Sequence, residues 1–216
     1  HPKPVLKEEK VKEAAAVINL AKKPMIIFGQ GIILSKAEEE LKALIEKSGI
    51  PAAWTILGLS ALPTEHELNV GMVGMHGNYG PNVLTNECDV LIALGMRFDD
   101  RVTGNLATYA KQAKVIHFEI DPAEIDKNVK TEVAVLADLK EALTALLPMI
   151  EKNSHEEWHN EFKKKYEIEL DAVINEELAP TNGKGISMGE TIEMINKHSN
   201  GDAIMVSDVG QHQMFT

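Results

Sequence analysis

MIIFGQGIILSKAEEELKALIEKSG, residues 25–49, reads as a strand, a glycine turn and a helix in that order. MIIF (25–28) is a continuous apolar run and Gly29-Gln30-Gly31 is the turn. Ser35 with Glu38 has capping-box spacing for a helix that Gly49 closes. The same rhythm extends outward on both sides. Upstream, Val11, Ala14, Ala15, Ile18 and Ala21 recur at helical spacing, and Pro24 stops that helix. Downstream, PAAWT (51–55), VLIALG (90–95), KVIHFEI (114–120) and EVAVLA (132–137) are apolar runs without polar alternation. Strands lacking a polar face are covered on both sides, as in a parallel sheet whose crossover helices lie on its two faces. The expected architecture is α/β, a Rossmann-like doubly wound parallel sheet.

Asp121-Pro122 with Glu124, and Asp138 with Glu141, each supply a cap and a first-turn acid, so a helix is expected directly after each of the last two strands. Pro148 ends or kinks the second of these. From Ser154 to about residue 177 a charged helix carries Trp158, Phe162, Tyr166, Leu170 and Val173 as one apolar stripe and reads as a connector. Turn residues fill 177–185; Ser187 with Glu190 then opens another helix leading to an expected strand, DAIMV (202–206). The expected organisation is a cofactor domain over 1–150, a connecting helix and linker over 151–182, and the start of a second α/β domain over 183–216.

The net charge of −11 and pI near 5.2 oppose nucleic acid or an anionic membrane as a partner, since both are held by clustered Lys and Arg. The single cysteine, Cys88, closes no intrachain disulfide. No apolar run approaches the roughly 20 residues that span a bilayer, and HPKPVLKEEK lacks a signal-peptide core. A cytoplasmic protein is expected.

In open parallel sheets ligands bind beyond the carboxyl ends of the strands. Gly29-Gln30-Gly31 is one such loop, suited to backbone N–H groups approaching a phosphate or ribose, although Leu34 replaces the third glycine of the dinucleotide fingerprint. GMRFDDRVTG (95–104) holds both arginines, Arg97 and Arg101, against twenty lysines (22 basic residues less two). Placing both rigid guanidinium forks in one post-strand loop points to a phosphate or carboxylate ligand; the alternative is a surface ion-pair cluster with Asp99 and Asp100. VGMHGNYGPN (73–82) displays Met75, His76 and Tyr79 among glycines, which suits a flat aromatic ligand. His155 and His159 match H-E-x-x-H, but a third zinc ligand and a shielded site are wanting, so no metal is assigned.

GMHGNYGPN (74–82), GMRFDDRVTG, HFEIDPAEIDKN (117–128) and DVGQHQMF (208–215) together resemble the acetolactate synthase large-subunit family, over essentially the whole chain. The resemblance implies an internal piece: a central FAD-binding domain followed by the start of a thiamine-diphosphate domain. It implies flavin contacts at Gly29, Gln30, Gly31, Thr55, Ile56, Val73, Gly74, Met75, His76, Gly95, Met96, Arg97, Phe98, Asp99, Glu119, Ile120, Asp138 and Leu139. Among these, Glu119 is placed to accept a ribose hydroxyl. It also implies a substrate channel at Met75, Asp100 and Arg101, and thiamine diphosphate contacts at Gln211 and His212.

The family decarboxylates pyruvate and condenses the two-carbon unit with a second 2-keto acid, pyruvate or 2-ketobutyrate, for branched-chain amino-acid biosynthesis. Magnesium is required, catalytic subunits form dimers or tetramers, and a regulatory small subunit binds. The family's activating glutamate would precede residue 1 and its magnesium motif would follow Thr216, so the segment alone is expected to be inactive. Alternatives are the nicotinamide- or flavin-binding domain of a related pyruvate oxidase or decarboxylase, and a vestigial pocket. A sirtuin-like enzyme is opposed by the single cysteine, since its zinc module takes four.

Overall fold

A computed structural model describes residues 3–178 and 185–215. The chain divides into two compact units, His1–Lys164 and Lys165–Thr216.

The first unit is built on six strands, β1 (Pro24–Phe28), β2 (Ala52–Trp54), β3 (Asn69–Met72), β4 (Val90–Leu94), β5 (Lys114–Glu119) and β6 (Val133–Leu136). Their order is β3-β2-β1-β4-β5-β6 and every pairing is parallel. The seam between the halves pairs Pro24 with Val90 through Phe28 with Leu94. Because β1 is flanked by β2 and β4, its carboxyl end is the point where the strand order reverses. β1 and β4 are buried at all five positions, as their unbroken apolar sequences require.

The helices of this unit are α1 (Glu8–Asn19), α2 (Gln30–Ser35), α3 (Glu38–Ser48), α4 (Tyr79–Leu84), α5 (Asp100–Thr103) and α6 (Leu139–Leu146), with the start of α7 (Glu156–Glu169). They cover the two sheet faces. Ile26, Phe28, Ile92, Leu94, Ile116 and Phe118 pack in one core with Val11, Ile18, Leu41, Leu44 and Leu143. Met25, Ile27, Leu91, Ala93 and Val115 pack in the other with Leu84, Trp158 and Phe162. Each buried Leu, Ile or Phe contributes about 1.5–3 kcal/mol.

Several local expectations are corrected. The helix expected to run to Pro24 ends at Asn19, and Pro24 instead opens β1. Ser35 does not cap α3: it ends α2, its Oγ donates to the Gly31 and Ile32 carbonyls, and Lys36 turns the chain at φ 55°. Asp121 caps only a single 3₁₀ turn, Pro122–Glu124, where a helix was expected. Asp138 does cap α6, and Pro148 lies in the 3₁₀ turn that follows it. β3 has no counterpart among the expected strands; NVGM is half-buried throughout and contains Asn and Gly, so it lacks an apolar run.

The stripe expected on one connecting helix is buried only at its start. Trp158 and Phe162 are 3% exposed and belong to the first unit's core, whereas Tyr166 and Val173 are 53% and 51% exposed. Trp158 Nε1 donates to the Pro24 carbonyl at 2.8 Å, and Lys23 lies over its ring. The first compact unit therefore extends into α7, to Lys164.

In the second unit a π-helical turn, Leu170–Ile174, is followed by α8 (Asn175–Leu178), α9 (Met188–Ser199) and α10 (Gln211–Phe215). Ser187 and Glu190 close the expected capping box on α9. Residues 202–206 form no strand: a strand needs a ladder partner, and among the described residues this segment has none, leaving Ile204 and Val206 more than nine-tenths exposed. Most of the turn-rich linker, 179–184, lies outside the described residues.

Candidate functional site

The carboxyl ends of β1 and β4 meet through glycine. Gly29 N–H donates to the Leu94 carbonyl at 3.0 Å, and Gly31 N–H to the Gly95 carbonyl at 2.9 Å. A Cβ on Gly29 would stand 2.6 Å from Met96 Cβ, and one on Gly31 would stand 2.6 Å from Gly95 Cα. The glycines are thus dictated by two loop backbones in contact. This changes the reason read from the sequence: the N–H groups of Gly29 and Gly31 are committed to the β4 end and are not phosphate donors. Gln30 between them is exposed.

Around this joint the other strand ends present apolar side chains to solvent. Thr55 N–H holds the Phe28 carbonyl at 3.0 Å and its side chain is buried, after which Ile56, Leu57 and Leu59 are exposed. Past β3, Val73 is buried while Met75 and His76 project outward. Past β5, Ile120 is exposed. Exposed apolar groups thus follow the carboxyl ends of β2, β3 and β5.

The loop after β4 is tightly organised. Met96 and Phe98 are buried, Arg97 and Arg101 are exposed, and the Asp99 carboxylate accepts from Arg101 N–H and Val102 N–H at the start of α5. Asn128 Nδ2 donates to the Phe98 carbonyl at 2.6 Å. Beneath lies His117, fully buried, 2.8 Å from the Met96 carbonyl through Nε2 and edge-on to Phe98. A carbonyl only accepts, so Nε2 carries the proton. Burial pushes the His117 pKa down, against the hydrogen bond to Met96 and the nearby Glu119 charge. The 3.7 Å approach of His117 Nε2 to Glu119 is therefore a contact of a neutral ring, not an ion pair.

Arg97 Nε pairs with Asp99 at 3.2 Å, one member of the expected surface ion-pair cluster. Arg101 differs. Its Nη1 reaches the Met75 sulfur at 3.8 Å, and among the described residues no carboxylate lies within ion-pair distance of it. Asp100 is exposed beside it.

Glu119 turns one oxygen back on its own loop, Oε1 accepting from Ile120 N–H and Asp121 N–H at 2.8 and 3.1 Å. Asp138 is the N-cap of α6 and pairs with Lys3 at 2.7 Å, and the Lys3 ammonium holds its carboxyl below the usual range. Leu139 is buried against Gly95.

A family model described as the central domain of thiamine pyrophosphate enzymes matches residues 11–146. The chain belongs to this thiamine pyrophosphate enzyme family. Its relatives include the acetolactate synthase large subunit of Lactococcus lactis, 42% identical over 96% of this chain and 35% of that protein. The isozyme 1 large subunit of Escherichia coli is 37% identical over 99% of the chain and 36% of its own length. A probable acetolactate synthase large subunit of Methanocaldococcus jannaschii is 39% identical over 99% and 37%. The chain spans about a third of the length of these curated relatives.

The central-domain match covers β1 to β6, so every strand-end loop described above falls within it. Gln211 and His212 lie outside the match, in the second unit, where both are exposed in the first turn of α10. His155 and His159 do not share a helix face: His155 precedes α7 with φ 44°, and only its carbonyl joins the helix, accepting from His159 N–H at 2.9 Å. Sequence reasoning overlooked Gly58, whose Cβ would meet the Phe28 carbonyl at 2.6 Å, and also His117, Asn78 and Asn82. Both asparagines stand inside the glycine-rich loop 73–82, whose composition does not show which backbone groups lie opposite them.

Proposed function

We propose that this chain is the central segment of an acetolactate synthase large subunit, with an FAD site along the strand ends and a 2-keto acid carboxylate held by Arg101. The observation that carries the reading is Arg101 itself: an exposed guanidinium with no acid partner among the described residues, beside exposed Met75, at the carboxyl edge of the family's sheet.

The residues fit a flavin. Ile56, Met75 and Ile120 offer an apolar rim for a flat ring system, and Glu119 Oε2 is the carboxylate oxygen not turned onto its own loop, suited to a ribose hydroxyl. Gly29, Gly31, Gly95, Met96, Phe98 and Leu139 form the packed floor, with Gln30, Thr55, Val73, Gly74, His76, Arg97, Asp99 and Asp138 around it. FAD has a structural role, because the net reaction is not a redox one. Gln211 and His212 are the candidates for thiamine diphosphate, which when bound supplies the stabilisation of the electron pair left by loss of carbon dioxide. Among the described residues no group of three or more His, Cys, Asp or Glu side chains is placed to hold a metal, so magnesium is given no ligand here.

Arg101 would orient the incoming acid by a fork of two parallel N–H donors, which fixes direction as well as distance. Met75, in contact with that fork, would limit the apolar side of the substrate. The assembled enzyme would join pyruvate to pyruvate or 2-ketobutyrate, working as a dimer or tetramer with a regulatory small subunit in the cytoplasm. No helix among the described residues is long and apolar enough to cross a membrane.

The test is a titration of FAD into the purified chain, followed by flavin absorbance and melting temperature. Saturation to a hundredfold over the dissociation constant adds about 2.7 kcal/mol, or roughly 5–10 °C for a domain of this size. Such a shift with FAD and none with NAD is expected. A folded chain that answers to neither would remove the cofactor assignment while leaving the family membership intact.

A further inference from the structure

Two loops carry the proposed substrate contacts, and the structure joins them at one residue. Met75 N–H donates to the Arg101 carbonyl at 2.8 Å, so the loop after β3 is tied to α5. Gly74, immediately before it, has φ +108°, and a Cβ there would stand 2.5 Å from that same Arg101 carbonyl. A side chain at this position would force the two loops apart. Gly74 is held in this conformation from the other side by the carboxamide of Asn82, on α4. Gly74 N–H donates to Asn82 Oδ1 at 2.8 Å, and Asn82 Nδ2 donates to the Gly74 carbonyl at 2.8 Å.

The pairing settles the amide orientation, since an N–H can meet only the oxygen and a carbonyl only the NH₂. It also requires a carboxamide of this length. Aspartate keeps the acceptor but has no donor, and serine or alanine cannot span both backbone groups. Asn78, just before α4, makes the adjacent tie, its Oδ1 accepting from Met72 N–H at 2.8 Å, so the last residue of β3 and Gly74 in the loop beyond it are both held from this one segment. The guanidinium end of Arg101 touches the Met75 sulfur and, among the described residues, has no carboxylate partner, so it can meet a ligand's carboxylate while its backbone is fixed.

We propose that Asn82 is a positioning residue for 2-keto acid binding: its carboxamide sets Gly74, Gly74 sets Met75, and Met75 N–H and sulfur set Arg101. This rests on the reading of Arg101 as the carboxylate partner. The Asn82 carboxamide is taken up by the Gly74 backbone, so it acts through Gly74 and Met75. Its role is to keep the Met75–Arg101 pair in one arrangement, where a displacement on the order of 1 Å is enough to cost up to a hundredfold.

The test uses the full-length polypeptide that carries this segment, supplied with FAD, thiamine diphosphate and magnesium. Asn82→Ala, Asn82→Asp, Arg101→Ala and the Asn82→Ala/Arg101→Ala pair are compared for kcat and KM with pyruvate, together with melting temperature. Asn82→Ala should raise KM by roughly tenfold with kcat within about twofold. Asn82→Asp should share the defect, and it serves as the milder variant if alanine impairs folding. In the Arg101→Ala background, Asn82→Ala should add less than about twofold, because a residue acting through Arg101 has nothing left to act on. Full multiplication of the two effects, or a lowered melting temperature with unchanged KM, would overturn the proposal. An Arg101→Ala enzyme with normal KM would instead sink the carboxylate reading, and this proposal with it. A defect in Arg101→Ala but none in Asn82→Ala would sink this proposal alone.

Discussion

His117 is a residue whose charge state the fold controls. Its ring is fully buried, Nε2 is bound to the Met96 carbonyl, and buried Nδ1 has no partner among the described residues. A proton added at Nδ1 would have no acceptor, so burial keeps the folded pKa below the ordinary 6.5. The unfolded chain takes up that proton as pH falls through about 6.5 while the folded chain does not. Stability is therefore complete above about pH 6.5 and is lost on acidification, at up to about 1.36 kcal/mol per pH unit for this one proton, until the folded pKa is reached. His155 and His159, also shifted down chiefly by burial, act in the same direction. Urea denaturation at pH 5, 6, 7 and 8 should show the decline, and His117→Gln, which keeps a donor toward Met96, should flatten it by about one proton. Equal slopes in the two proteins would rule this account out. At this scale the arginine pair was legible because its composition is unusual against twenty lysines. Asn82 and His117 were not, because their roles depend on which distant carbonyl lies opposite them, and a single sequence does not display that.

The elements were legible in proportion to how completely they are buried. β1, β2, β4, β5 and β6 all fall within apolar runs, and Asp138 and Ser187 both cap the helices their spacing indicated. β3 was not legible, since an edge strand that is half-buried needs no apolar run. The apolar run at 202–206 misled for the complementary reason: strand propensity yields a strand only where an edge is offered to it. Helix α7 shows the same rule within one element, having a regular stripe of which only Trp158 and Phe162 find a core. Trp158→Ala should cost about 3–5 kcal/mol by loss of packing, together with its bond to the Pro24 carbonyl. Tyr166→Ala, at a 53% exposed position, should change stability by no more than about 0.5 kcal/mol. Chemical denaturation of both variants measures the contrast, and similar losses would mean that the stripe is buried along its length.

For the molecule as a whole, Cys88 is a ready reporter. Its side chain is fully buried in the core on one face of the sheet, its Sγ donates to the Thr85 carbonyl at 3.2 Å, and burial pushes its pKa up to about 12. A thiol reagent at pH 8 should leave the native chain unlabelled and modify it at the rate at which the first unit opens. Labelling should therefore slow as stability rises and should slow further if FAD binds. Rapid labelling of the native chain, insensitive to denaturant, would show that Cys88 reaches solvent by a local route.

The position of β1 has one more consequence, which concerns synthesis on the ribosome. It is the first strand of this sheet to be made, yet it occupies an interior place, with β2 on one side and β4 on the other. β2 arrives soon after, but the partner for the second edge is complete only at Leu94, 66 residues beyond Phe28 (94 − 28). At about 5–20 residues per second, that edge stays open for roughly 3–13 s. During this interval the nascent chain displays PMIIF with one unpaired, wholly apolar edge, and a segment that will be buried at every position in the finished protein is in need of a chaperone while it is being born.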